Sequence, residues 1–157
     1  MKGMTNVFGE LDIKDRWNLK IIKVEPHEVK SYTPIGMAYV MMRNASFEGK
    51  DISLSYKYGC VNTRDSFVVE CEEDSSACIV DFPGLSLLET RLFIQDCLDM
   101  GNLSYMDGGT NTTAINPGRL GDPVINYVHF PAHMYQTLHT HPSHRVGLVI
   151  RGNGKIE

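Results

Sequence analysis

A mainly β, antiparallel fold is what this sequence predicts, on three observations. Residues 52 to 58 alternate strictly, with Ile52, Leu54, Tyr56 and Tyr58 on one side and Ser53, Ser55 and Lys57 on the other. That period of two is the signature of a strand buried on one face. Short apolar runs recur between polar or turn-forming stretches: Leu19 to Val24, Met37 to Met42, Phe67 to Cys71, Ala77 to Phe82, Val124 to Phe130 and Val146 to Ile150. Gly152-Asn153-Gly154 follows the last of these and reads as a tight turn, so Lys155-Ile156-Glu157 begins the return strand of a hairpin.

Taken in order, Leu19 to Val24 is a strand interrupted by Lys20 and Lys23 and closed by Glu25-Pro26. After Thr33-Pro34 the run Met37 to Met42 reads as a buried strand, and Arg43 to Asp51 is polar enough for a loop. Phe67 to Cys71 and Ala77 to Phe82 form two further strands, joined by the acidic, serine-rich turn Glu72 to Ser76. One helix is expected near 86–100. Ser86 and Glu89 make a capping box, Leu87, Ile94 and Leu98 share a face, and Gly101 suits a helix C-terminus. From Gly101 to Pro123 the composition shifts to Gly, Asn, Thr, Asp and Pro, with turn signals at Asp107-Gly108-Gly109 and Asn116-Pro117-Gly118. This segment is expected to be a long surface connection, with Tyr105, Asp107, Arg119 and Asp122 as its polar candidates.

Composition narrows the class. With 157 residues, 42% hydrophobic and 22% charged, the chain has the make-up of an ordinary globular protein of one domain, or one and part of another. A net charge of −4 without clustered Lys and Arg argues against nucleic acid as a partner. The longest apolar run, Ile35 to Met42, is too short to cross a bilayer, and the Met1-Lys2-Gly3-Met4 start lacks the apolar core of a signal peptide. The expected location is cytoplasmic, where Cys60, Cys71, Cys78 and Cys97 are reduced thiols.

Chemistry concentrates near the C-terminus. Of 6 histidines, His129, His133, His139, His141 and His144 fall between residues 126 and 157. Imidazole is the commonest protein ligand for divalent transition metals. If Ala132 to Thr140 is extended, Tyr135, Thr137, His139 and His141 share one face, with His133 joining them. Two imidazoles at i and i+2 then project side by side and can grip one ion at roughly 2.0–2.1 Å, with other strands bringing further ligands. Pro142 ends the regular pairing and the polar corner Ser143-His144-Arg145 follows. Tyr135 and Thr137 are the neighbouring substrate or supporting contacts, and Arg145 can turn outward or face the pocket as a fixed cation that grips a carboxylate or phosphate.

His139-x-His141, a short corner, an apolar strand and Gly152-x-Gly154 resemble the first conserved motif of the cupin superfamily, small antiparallel jelly-roll barrels. The resemblance covers about residues 126–157. Two positions depart from the pattern: His133 stands where the family places a glycine, and Arg145 where it places a glutamate that completes the metal shell. His144 reads as an outward corner residue, which a slipped corner would let stand in for that glutamate. The resemblance implies a jelly-roll barrel whose second motif lies beyond Glu157, so the barrel is expected to be incomplete at the C-terminus. The expected organisation is a β-rich region over 1–100 ending in the helix, a long loop or linker over 101–123, and the start of the barrel motif over 124–157, with one continuous domain as the alternative.

What the resemblance implies for function is a metal-dependent protein holding Fe, Mn, Ni or Zn through His139 and His141. Such a protein acts on a small molecule as a dioxygenase, isomerase or lyase. Cupins also include small-molecule binders without turnover, and a fragment with half a site would be inactive, because a fold does not dictate a reaction. The family habit of joining sheet edges implies a homodimer. The sequence assigns no catalytic residue.

Overall fold

The computed structural model describes residues 9–15, 18–86, 90–95 and 101–155, with only the backbone described at 94 and 95. Its strands are β1 Glu10–Ile13, β2 Leu19–Val24, β3 Val29–Tyr32, β4 Met37–Gly49, β5 Ser53–Ser55, β6 Tyr58–Thr63, β7 Phe67–Phe82, β8 Arg91–Gln95, β9 Leu103–Ser104, β10 Thr110–Ile115 and β11 Ile125–His129. All ladders among the described residues are antiparallel. The larger sheet runs β1-β2-β7-β4-β6-β8, with β3 also on β7 and β5 also on β4, and the smaller runs β11-β10-β9. The mainly β, antiparallel expectation therefore holds; the sheets are open, and the described strands do not close into a barrel.

A single bend line organises the larger sheet. Strand β7 pairs β2 through Ala77–Asp81 and β3 through Phe67–Glu70, while β4 pairs β6 through Ala38–Arg43 and β5 through Ser46–Glu48. Each long strand thus faces two short ones, and the breaks between the short ones lie beside a register shift between β4 and β7, where Arg43↔Ser76 gives way to Ala45↔Cys71. Asn44 sits at this corner with φ 52. Its N–H donates to the Lys57 carbonyl at 2.8 Å, its carbonyl accepts from Ser75 Oγ at 2.6 Å, and its Nδ2 donates to the Asp74 carbonyl at 3.2 Å. The extra residues bend the strands and raise their twist, as bulges do.

Bending lets the sheet fold over one of its own faces. Ile22, Val24, Ala38, Val40, Met42, Val61 and Ile79 on one side of the corner meet Ala45, Phe47, Leu54, Phe67, Val69 and Cys71 from the other in one buried cluster. The bulge shifts the inward set of β4 from even numbers (38, 40, 42) to odd ones (45, 47), so both halves keep apolar side chains inside. On the outer face, Ile115, Ala114 and Ile125 of the smaller sheet pack on Met37, Tyr39 and Cys60. Leu11, Ile13, Val146 and Leu148 pack on Ile21, Cys78 and Val80.

Several local expectations change. Residues 91–95, expected inside a helix, form β8, while 87–89 and 96–100 lie outside the described residues. Strand β6 has one edge on β4, and its other edge takes the ladder from Asn62↔Arg91 to Tyr58↔Gln95. Buried backbone groups must be paired, and that demand outweighs the local helix signal at Leu92-Phe93-Ile94, residues that also suit a strand. Asn62 Oδ1 adds a bond from the Arg91 N–H at 2.6 Å.

The expected loop from Arg43 instead continues β4 to Gly49, and the expected turn Glu72 to Ser76 runs on as part of β7, bulging rather than reversing. The alternating run 52–58 is cut at Tyr56-Lys57, on the bend line, into β5 and β6. The 101–123 connection contains β9, a 3-10 turn Met106–Gly108 and β10. Val146 to Ile150 packs on the sheet but makes no ladder, and Lys155 begins no return strand, with 156–157 outside the described residues.

Candidate metal centre

The histidine-bearing segment follows β11 without regular structure. Residues 134–141 form no strand, so the strand face expected to collect Tyr135, Thr137, His139 and His141 is absent, and His139 and His141 are exposed rather than lodged in a barrel hollow. The two rings nevertheless meet. His139 Nε2 lies 3.2 Å from His141 Nε2, with centroids 4.8 Å apart and planes at 87°.

The partners at either end assign both tautomers. The Thr137 carbonyl, which can only accept, lies 2.7 Å from His139 Nδ1, so that nitrogen carries the hydrogen and Nε2 the lone pair. Arg145 Nη2, which can only donate, lies 3.2 Å from His141 Nδ1, so that nitrogen accepts and Nε2 carries the hydrogen. His141 Nε2–H then donates to His139 Nε2. The result is one polarised chain, from guanidinium through two neutral rings to a backbone carbonyl. Partial desolvation first, then the charge of Arg145 and, whenever its ring is protonated, that of His139, hold His141 below the ordinary imidazole range.

Thr137 is itself held. Its N–H donates to Asp107 Oδ2 at 2.8 Å and its hydroxyl to Asp107 Oδ1 at 3.0 Å. The two bonds, backbone one first, keep the Asp107 carboxyl below its usual range. Asp107 has φ 55 in its turn, a conformation that Asp tolerates better than most residues. Of the polar candidates in the preceding segment, Asp107 thus reaches the pair's support, whereas Arg119 binds Asp122 and the Ser86 carbonyl and Tyr105 packs near Phe130.

The other expected site residues are dispersed. His144 turns away and bonds Asp15 Oδ2 at 2.5 Å, tying the corner to the chain between β1 and β2. His133 is exposed with φ 62 in the turn Pro131–Met134. Tyr135 is exposed too. Arg145 faces the pair, not an outward carboxylate.

Tested against a metal, the donors fit in part. A 3.2 Å separation is one that neighbouring ligands of a single ion adopt when each bond is roughly 2.0–2.1 Å. His139 is already the right tautomer, with its second nitrogen held by a carbonyl as ligating histidines usually are. Among the described residues no group of three or more His, Cys, Asp or Glu gathers to complete a shell. The class defined by fold and site is an open antiparallel β protein with a surface imidazole pair. No known family, curated protein or solved structure matches the chain.

Proposed function

We propose that this protein is cupin-like and binds a divalent transition metal, Fe, Mn, Ni or Zn, through Nε2 of His139 and of His141. The observation that carries the reading is the 3.2 Å approach of these two nitrogens, from residues in no regular element, on a segment anchored through Thr137 to Asp107. Such an ion, with most of its positions open, would polarise an oxygen-bearing small molecule, the chemistry of dioxygenase, isomerase and lyase sites. The residues of the chain hold and orient: Asp107 positions Thr137, and the Thr137 carbonyl fixes the ring of His139.

Calorimetric titration of the full chain with Ni(II) near pH 7.5 tests the reading. One equivalent is expected to bind the wild type, and His139→Ala/His141→Ala is expected to lose it. Equal uptake by both proteins would remove the site. Turnover of candidate oxygen-bearing substrates by the loaded protein then separates an enzyme from a binder that performs no reaction.

A further inference from the structure

We infer that Arg145 is a built-in competitor of the metal, holding His141 in the tautomer that cannot ligate through Nε2; this rests on the metal reading of the pair. The two imidazoles are not equivalent. His139 offers its Nε2 lone pair as it stands, because its hydrogen is committed to the Thr137 carbonyl at 2.7 Å. His141 can offer Nε2 only once its hydrogen sits on Nδ1, and Nδ1 lies 3.2 Å from Arg145 Nη2. Both groups would then be donors facing each other, and the guanidinium does not deprotonate to relieve the conflict.

Engaging the second ligand therefore requires Arg145 to leave. Arg145 also stands as a cation beside the position a second cation would take, so its charge opposes the ion as its hydrogen bond does. Its neighbour His144 is tied to Asp15, and Val146 packs on Ile21, Cys78 and Val80, so the backbone on both sides of Arg145 is anchored. The guanidinium is held close to the pair by the fold and must be displaced by side-chain rotation.

The experiment compares Ni(II) affinity of wild type, Arg145→Met and Arg145→Lys by calorimetry, with imidazole ¹⁵N shifts of the metal-free proteins as a second readout. Arg145 is exposed, and unchanged thermal unfolding verifies that the variants fold. Arg145→Met is expected to bind roughly tenfold tighter, the size of one charge-assisted hydrogen bond, and Arg145→Lys, which keeps a charged donor, to stay near wild type. The wild-type shifts should place hydrogen on His141 Nε2 and His139 Nδ1, and Arg145→Met should redistribute that of His141. Binding by Arg145→Met alone would support the inference. Equal affinity in wild type and Arg145→Met, or a His141 tautomer unmoved by the substitution, would overturn it and leave the metal reading standing, whereas no binding by either protein would overturn both.

Discussion

The Tyr32 hydroxyl donates to Asp81 Oδ2 at 2.9 Å inside the folded-over sheet, joining the end of β3 to the far half of β7. The same carboxylate accepts the backbone N–H of Ile35 at 2.7 Å and of Gly36 at 3.3 Å, and Asp81 is fully buried. Three donors, one from the end of β3 and two from the connection after it, thus satisfy a buried charge, which fixes where the chain turns from β3 into β4. Burial first and this bond second push the Tyr32 hydroxyl far above its usual range.

Asp81→Asn is expected to lower stability by about 3 kcal/mol, because the amide turns hydrogens toward donors and leaves one of them unpaired in the interior. Tyr32→Phe should cost about 2 kcal/mol, the net value of one hydrogen bond to a charged group. Urea unfolding of both variants checks the ranking. Equal stability of the Asp81→Asn variant and the wild type would show that the carboxylate contributes nothing to the turn.

The bend line predicts opposite outcomes for two aromatic residues near it. Phe47 is buried and stacks on Phe67 with centroids 5.0 Å apart, whereas Tyr56 is 41% exposed at the break between β5 and β6. Phe47→Ala should cost about 3–5 kcal/mol through lost burial and the cavity left behind. Tyr56→Ala should stay within about 0.5 kcal/mol. Comparable thermal shifts for the two would contradict the placement of the corner.

Glu10 carries a pH signature. Lys20 and Lys30 each place an ammonium 2.9 Å from its carboxylate, and those bonds, Lys20 first, lower its pKa. A depressed carboxylate contributes stability that is present above its unfolded pKa and lost as pH falls through the folded value. The Glu10 side chain is 45% exposed, so the contribution is screened, about 0.5 kcal/mol. Glu10→Gln should therefore differ from wild type at pH 7, and the gap should close in acid or in 1 M salt. A gap that widens on acidification would reverse the sign of this assignment.

The buried thiols should be inert in the folded state. Burial pushes Cys60 and Cys78 up to about 12 and, with Glu28 and Glu25 adding, Cys71 to about 11. The thiolate is the reacting species, so alkylation of these three at pH 8 should proceed only through unfolding. Peptide mass mapping after iodoacetamide, with and without guanidinium, reads this directly. Rapid native labelling of Cys78 would contradict its place beneath β1 and Val146.

Much of the sheet was legible because strands declare themselves through short apolar runs. Leu19 to Val24 is β2 with its expected limits, and Val124 to Phe130 encloses β11. What misled were residues whose conformation depends on distant neighbours. Glu72 to Ser76 looks like a reversal, yet it is carried along by flanking strands already paired with β2, β3 and β4. The sequence singled out the pair His139 and His141; it could not find the Asp107 bond to Thr137, which spans 30 positions.

The sequence by itself determined that the chain builds antiparallel strands with apolar faces and places two imidazoles two positions apart, because side-chain period and spacing are local properties. Only the tertiary structure decided that the strands bend along one shared line, that residues 91–95 pair with β6, and that Arg145 and the Thr137 carbonyl cap the two rings from opposite ends. The reason is that unpaired backbone groups and fixed donors are satisfied by whatever the fold brings within about 3 Å, and that distance is not written in the order of residues.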